Sequence, residues 1–371
     1  MSIDKNKEEI QKEIVNSLPN PSHGLLCVAV RVGKTKITID IIKKEKPRTI
    51  LWVTANSKLR DIDIPQEFKK WKAQKYLENT KIICYQSLSK IEGNFDKIIL
   101  DEYHCLTDKN SENLLNGKIK YKTILGLSGT HPKKLEKNIL LSKLNLETLK
   151  FLDIKEATQK NLIAPYKIFL IPTQINTKDK NVISGNKKIT FYQTEKQKYD
   201  YLTKCIAENQ YLLPNKRKDP KILALSRMRF IHNLKSKQDK IKSFLKTLKG
   251  RTIIFSANTE LADSLSLYTY HSKTDDSNLK KFLDGEINTL SCVNMGGTGF
   301  TFTNVDNFVI CQANSDVLGA TTQKIGRSLV LQKDYIANIY MFYVENTVDE
   351  DWVNSSLLNF DRNSVEILKL K

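Results

Sequence analysis

Lys34 and Thr35 close the loop AVRVGKT (Ala29 to Thr35), and 66 residues beyond Thr35 the carboxylates of Asp101 and Glu102 open the tetrapeptide DEYH at the end of an apolar run. These residue types in this order fit the hydrolysis of a nucleoside triphosphate. A lysine ammonium is a point charge for the β- and γ-phosphates, a threonine hydroxyl is one ligand for Mg²⁺, and backbone N–H groups around Gly33 face phosphate from a helix N-terminus. Asp101 would hold the metal from the other side, and Glu102 would polarise the water that attacks the γ-phosphate. ATP and Mg²⁺ are the cofactors this chemistry requires. Arg31, within the loop, is a further candidate nucleotide contact. The usual pattern G-x-x-x-x-G-K-[ST] asks for Gly where this chain has Val28, so the reading rests on the elements around the loop.

Those elements have the required order. Leu25 to Val30 is an apolar run suited to a buried strand, and Ile37, Ile41 and Ile42 recur at helical spacing after the loop. Lys97 to Leu100 reads as a second strand, which brings both ligand sets to the carboxyl edge of one parallel sheet. ILWVT, KIICY (from Lys81) and ILGLSGT (from Ile124) supply further strands, with a helical stretch from Ile64 to Leu77 among them. A second alternating set follows: TIIFSA, NTLSCVNM from Asn288, NFVICQA from Asn307 and IYMFYV from Ile339. The predicted fold is α/β, with two lobes that are each a mainly parallel, doubly wound sheet. The expected boundaries are 1–150 for the first lobe, 151–170 for a Pro-punctuated passage and 171–371 for the second lobe, with a helical basic insert over about 191–249.

The chain has 371 residues and a formal net charge of +19. Between Leu213 and Arg251 there are 13 Lys or Arg against 2 Asp, a net of +11, so more than half the excess lies in 39 residues. Charge this concentrated marks a surface for a polyanion such as nucleic acid; a solvated helix face in a Lys-rich chain is the competing account. No run approaches the roughly 18 apolar residues of a membrane span, and the charged N-terminus does not read as a signal peptide. A soluble, cytoplasmic protein is expected. Six widely spaced cysteines with no C-x-x-C pair indicate neither a zinc site nor a disulfide framework.

In order along the chain, AVRVGKT, WVTANSKLRD (from Trp52), CYQSL (from Cys84), DEYH, LSGTHP (from Leu127), TIIFSAN, NMGGTGFTF (from Asn294) and QKIGRSL (from Gln323) resemble motifs I, Ia, Ib, II, III, IV, V and VI of the superfamily 2 DExH helicase core. The likeness covers nearly the whole chain. FYQTEKQKYDYL from Phe191, RMRFIHN from Arg227, the run from Ser236 into TIIFS, and LIAPY from Leu162 are closer to Swi/Snf-type translocases and compact phage DNA helicases.

The resemblance implies two RecA-like lobes with ATP bound between them and movement along DNA in replication, recombination or repair. It implies that Gln323 and Arg327 face the γ-phosphate from the second lobe, and that His104, Ser128, Gly129 and Thr130 couple nucleotide state to the track. Ser57, Gln86, Ser87, Thr298 and Gly299 would contact the nucleic-acid backbone without reading sequence. Gln11 stands where relatives carry an adenine-reading Gln; the alternative is a solvated helix residue. Trp71 and Tyr85 are either base-stacking or core aromatics. Motif VI of the family carries a second Arg where this chain has Val330, which leaves open an ATP-gated clamp with poor turnover, or a protein partner that supplies an Arg. An RNA helicase would use the same chemistry.

Overall fold

Strands that are apolar on both faces need helices on each side of a parallel sheet, and the chain builds two such layers. The structure, a computed structural model, describes residues 3–129, 135–185, 190–212, 214–293, 302–313 and 320–370. The first sheet contains β1 (Gly24–Val28), β2 (Ile50–Thr54), β3 (Thr80–Cys84), β4 (Gly93–Leu100), β5 (Ile119–Ser128) and β6 (Thr148–Leu152), in the order β3-β2-β4-β5-β1-β6, all parallel. Its helices are α1 (Ile3–Ser17), α2 (Lys34–Glu45), α3 (Ile64–Lys70), α4 (Gln74–Leu77), α5 (Asp108–Leu115), α6 (Leu135–Lys143) and α7 (Ile154–Gln159). Side chains alternate across the sheet with period two. Leu26, Val28 and Trp52 pack on one face, while Leu25, Cys27, Leu51 and Val53 pack on the other.

The second sheet contains β7 (Tyr166–Thr173), β10 (Thr252–Ser256), β11 (Thr269–Tyr270), β12 (Thr289–Val293), β13 (Asn307–Ile310), β14 (Ala337–Val344) and β15 (Val365–Ile367), in the order β11-β12-β10-β13-β14-β7-β15, again all parallel. Between β7 and β10 the chain makes an antiparallel hairpin, β8 (Val182–Gly185) with β9 (Thr190–Gln193), and then helices α8 (Glu195–Asn209), α9 (Pro220–His232) and α10 (Lys235–Leu245). The remaining helices are α11 (Thr259–Leu265), α12 (Ser277–Leu283), α13 (Ala320–Ser328) and α14 (Val348–Ser356).

Two of the expected boundaries fall inside strands. β6 pairs with β1 through Leu152, so the first sheet runs beyond residue 150. β7 lies between β14 and β15, which places residues 166–170 in the second sheet instead of a free passage. Pro172 is tolerated inside this strand, and its carbonyl accepts from Lys240 Nζ at 2.7 Å. In the basic insert the helices begin at Glu195, behind a capping box in which Thr194 Oγ1 accepts from Gln197 N and Gln197 Oε1 accepts from Thr194 N.

The lobes meet closely. Ala164 N, in the connector, donates to Leu329 O beyond α13 at 3.2 Å. A Cβ on Gly326 would come within 2.3 Å of Val30 Cγ2 in the phosphate loop, so glycine is what lets α13 approach. Among the described residues no helix is long and apolar enough to cross a membrane, and the six cysteines are free thiols.

Candidate functional site

The loop between β1 and α2 is shaped by two positive φ angles, 70° at Arg31 and 102° at Gly33. Gly33 suits this left-handed turn because it has no Cβ, and the Gln11 amide fills the space beside it, with Nε2 2.4 Å from where a Cβ would stand. Gln11 is 4% exposed on α1 and donates to Val32 O at 2.7 Å, while Lys7 Nζ donates to Arg31 O at 2.6 Å. The solvated-helix alternative for Gln11 therefore does not hold. α2 starts at Lys34 with no side-chain cap and no acid in its first turn, which leaves its first N–H groups facing outward with positive polarity.

In the strand order only β5 separates β1 from β4. This brings DEYH beside the loop. Glu102 has φ 51°, a left-handed conformation that is uncommon for a non-glycine residue and clusters at functional sites. Its Oε1 accepts from Lys34 Nζ at 3.0 Å, and its Oε2 lies 3.3 Å from His104 Nδ1. Burial opposes charge on Glu102, yet Lys34, His104 and Arg327 together hold its carboxyl below the ordinary value. Asp101, 9% exposed, is pushed up to about 6 by burial and by the adjacent Glu102 charge. Burial also lowers His104, with Lys34 and Lys137 adding to the effect against Glu102. Ser128 ends β5 buried, and a Cβ on Gly129 would stand 3.5 Å from Lys34 Nζ, so this segment touches the phosphate loop directly. Thr130 lies outside the described residues.

From the second lobe, α13 carries Gln323 and Arg327, spaced four residues apart and so on one helix face. Burial lowers Arg327, against the charges of Asp63 and Glu102; Arg31 is lowered to about 10, first by burial and then by Arg327. Gly326, next to Arg327, packs on Val30, which sets this end of α13 against the loop. Val330 lies just past α13, partly buried.

Beside the loop opens a cleft of about 740 Å³ lined by Gln11, Gly33, Thr35, Asp63, Glu67 and Trp71, among others. Trp71 Nε1 donates to Glu67 at 2.6 Å, and the Lys36 and Lys70 ammonium groups stand 4.8 and 4.9 Å from its ring centroid. Asp63, Glu67 and the position of Trp71 in this cleft had no signal in the sequence. Only the packing of α3 against α2 brings them there.

Ser57, Gln86 and Ser87 follow the carboxyl ends of β2 and β3, at the opposite end of the first sheet from β1. Ser57 and Gln86 are exposed and Ser87 is half-buried. Thr298 and Gly299 lie outside the described residues. Tyr85 is 2% exposed and belongs to the core, which rules out base stacking.

Two family profiles match this chain. One, described as type III restriction enzyme, res subunit, covers residues 1–133, and the other, described as helicase conserved C-terminal domain, covers residues 236–329. The helicase domain of Pyrococcus furiosus Hef is similar in structure, with 13% identity, a TM-score of 0.52, and coverage of 94% of this chain and 97% of that one. S. cerevisiae Dbp5 bound to RNA and ADP BeF3 is similar at 14% identity and TM-score 0.55, covering 97% of this chain and 89% of that one. A variant of Dbp5 in the same complex gives 13% identity with the same TM-score. At such identities the structural likeness speaks for the fold alone. A search of curated proteins found no match. Profile matches in both lobes, on a two-sheet fold shared with these helicases, support a superfamily 2 helicase core.

Proposed function

We propose that this chain is an ATP-dependent DNA helicase or translocase that couples hydrolysis at the lobe interface to movement along DNA in replication, recombination or repair. The observation that carries the reading is the Lys34–Glu102–His104 cluster, with α13 of the other lobe packed on the adjoining loop through Gly326 and Val30.

Lys34 and the first N–H groups of α2 bind the β- and γ-phosphates. When Lys34 turns to phosphate, Glu102 Oε1 is released to accept a hydrogen bond from the attacking water and orient it. Thr35 and Asp101 would hold Mg²⁺. Both offer hard oxygen donors, and the buried Asp101–Glu102 pair is an arrangement that a divalent cation relieves. When bound, Mg²⁺ neutralises charge on the phosphate oxygens. Arg327, with Gln323 beside it, meets the γ-phosphate and stabilises its transition-state charge. Gln11 and Trp71 receive the base in the adjoining cleft.

Loss of the γ-phosphate removes the link across the cleft and lets the lobes separate. His104, Ser128 and Gly129 carry that change from the loop towards β2 and β3, where Ser57, Gln86 and Ser87 grip the backbone, joined by Thr298 and Gly299 of the second lobe. The helices α8 to α10 ahead of β10 favour the Swi/Snf-type or phage-type placement.

The test is ATP turnover with duplex DNA, single-stranded DNA or RNA, with Glu102→Gln as the blank. Stimulation by DNA that vanishes in the blank supports the proposal, and a preference for RNA overturns its DNA assignment. Val330 favours a second reading, a clamp that binds ATP but turns over slowly or needs a partner's Arg. Val330→Arg should then raise turnover severalfold; an unchanged rate argues against the clamp.

A further inference from the structure

The β8–β9 hairpin belongs to neither parallel sheet. Ile183 pairs directly with Tyr192, and residues opposite one another in an antiparallel pair share a face. Both are outward, 65% and 61% exposed. A two-stranded hairpin has little stability of its own, and this one is secured at its base instead of across its apolar face. Buried Glu195 accepts from Asn176 N at 3.0 Å, from Ser236 N at 3.0 Å and from Ser236 Oγ at 2.6 Å.

From that anchored base α8 departs at once, and it bears Tyr201, 58% exposed, with Lys198 Nζ 5.5 Å from the ring centroid. Of the six exposed Phe or Tyr residues among those described, four (Phe191, Tyr192, Tyr201, Tyr211) fall within 21 residues, so the aromatic exposure is concentrated in this arm. The acids of α8 are all engaged: Glu195 at the base, Asp200 with Lys196 at 2.6 Å, and Glu208 with Lys204 at 3.7 Å. Over residues 182–209 five Lys stand against three acids, a net of +2, and the arm adjoins the 213–251 segment with its net charge of +11. Exposed aromatic rings among cations match the chemistry of single-stranded nucleic acid, whose bases stack and whose phosphates need charge.

We propose that the hairpin and the outer face of α8 bind single-stranded nucleic acid outside the lobe interface, with Tyr192 and Tyr201 stacking on bases and Lys198 on the backbone. The proposal rests on the chain's acting on nucleic acid.

Fluorescence anisotropy of the full chain with a labelled oligothymidylate and with a duplex tests it. Tyr192→Ala/Tyr201→Ala should weaken single-strand affinity by about tenfold per tyrosine, with duplex affinity changed less than about twofold, and Tyr192→Phe/Tyr201→Phe should restore it. Equal affinity of the Ala variant and the wild type overturns the proposal, as does an equal loss on duplex. So does a variant that alters only self-association in sedimentation. An unchanged thermal midpoint of the Ala variant guards against misfolding. If the wild type binds neither strand form, the nucleic-acid reading fails as well, and that is seen without any variant.

Discussion

Each lobe sends a helix off the carboxyl end of an interior strand, α2 after β1 and α11 after β10, and the two starts are chemically opposite. At α11 the Asn258 side chain accepts from Leu261 N at 2.8 Å and Glu260 occupies the first turn. The donors there are partly used and the positive end of the helix already faces an acid. At α2 the chain enters through Gly33 with φ 102°, no side chain caps the helix, and the first turn carries Lys34 and no acid. The same sheet-and-helix layout thus yields an open, uncapped helix start in one lobe and a capped one in the other. What differs is a handful of residues at one turn, which is why fold alone does not confer chemistry. In the proposed mechanism the second lobe contributes through α13 instead, by carrying Arg327 to the first lobe's site.

Removing that contribution should have the largest effect. Arg327→Ala is expected to lower turnover by about 10³ to 10⁵, the range for an arginine that meets a transferring phosphoryl group, while ATP still binds; near-normal turnover would show that the second lobe adds no charge to the reaction. Lys34→Ala strikes the open helix start and should cut turnover by about 10² to 10³, with nucleotide affinity reduced too in a titration with a fluorescent ATP analogue. Trp71→Ala tests the cleft beside that start: ATP affinity should weaken about tenfold, the order of a lost stacking contact, with saturated turnover little changed. If the rate falls at unchanged affinity, Trp71 does not receive the base. Smallest is Asn258→Ala at the closed start, which should lose about 1 kcal/mol in urea unfolding and leave ATP turnover intact. A loss of turnover there would mean that the two helix starts are not divided in function.

Much of the fold was legible because buried parallel strands are continuous apolar runs. ILWVT, TIIFS and LLCV read as strands for that reason, and each is buried along its length. β7 was harder, since Pro165 and Pro172 flank a run that reads as a linker until β14 and β15 pair with it. β8 and β9 are only four residues each, too short to impose a period. In the site, Lys34, Asp101 and Glu102 were legible from type and spacing. Trp71, Asp63 and Glu67 were not, because nothing local to α3 marks which of its faces meets α2.

The sequence by itself determined which groups carry charge and which segments have to be buried, since side-chain chemistry and apolar runs are local properties. It also ordered the two ligand sets along the chain. Only the tertiary structure decided that β5 alone separates them, that Glu102 rests between Lys34 and His104, and that Gly326 lets α13 pack against the loop. Those outcomes depend on strand order and on the approach of one lobe to the other, which arise from contacts between residues far apart in the chain, from Lys34 with Glu102 to Val30 with Gly326.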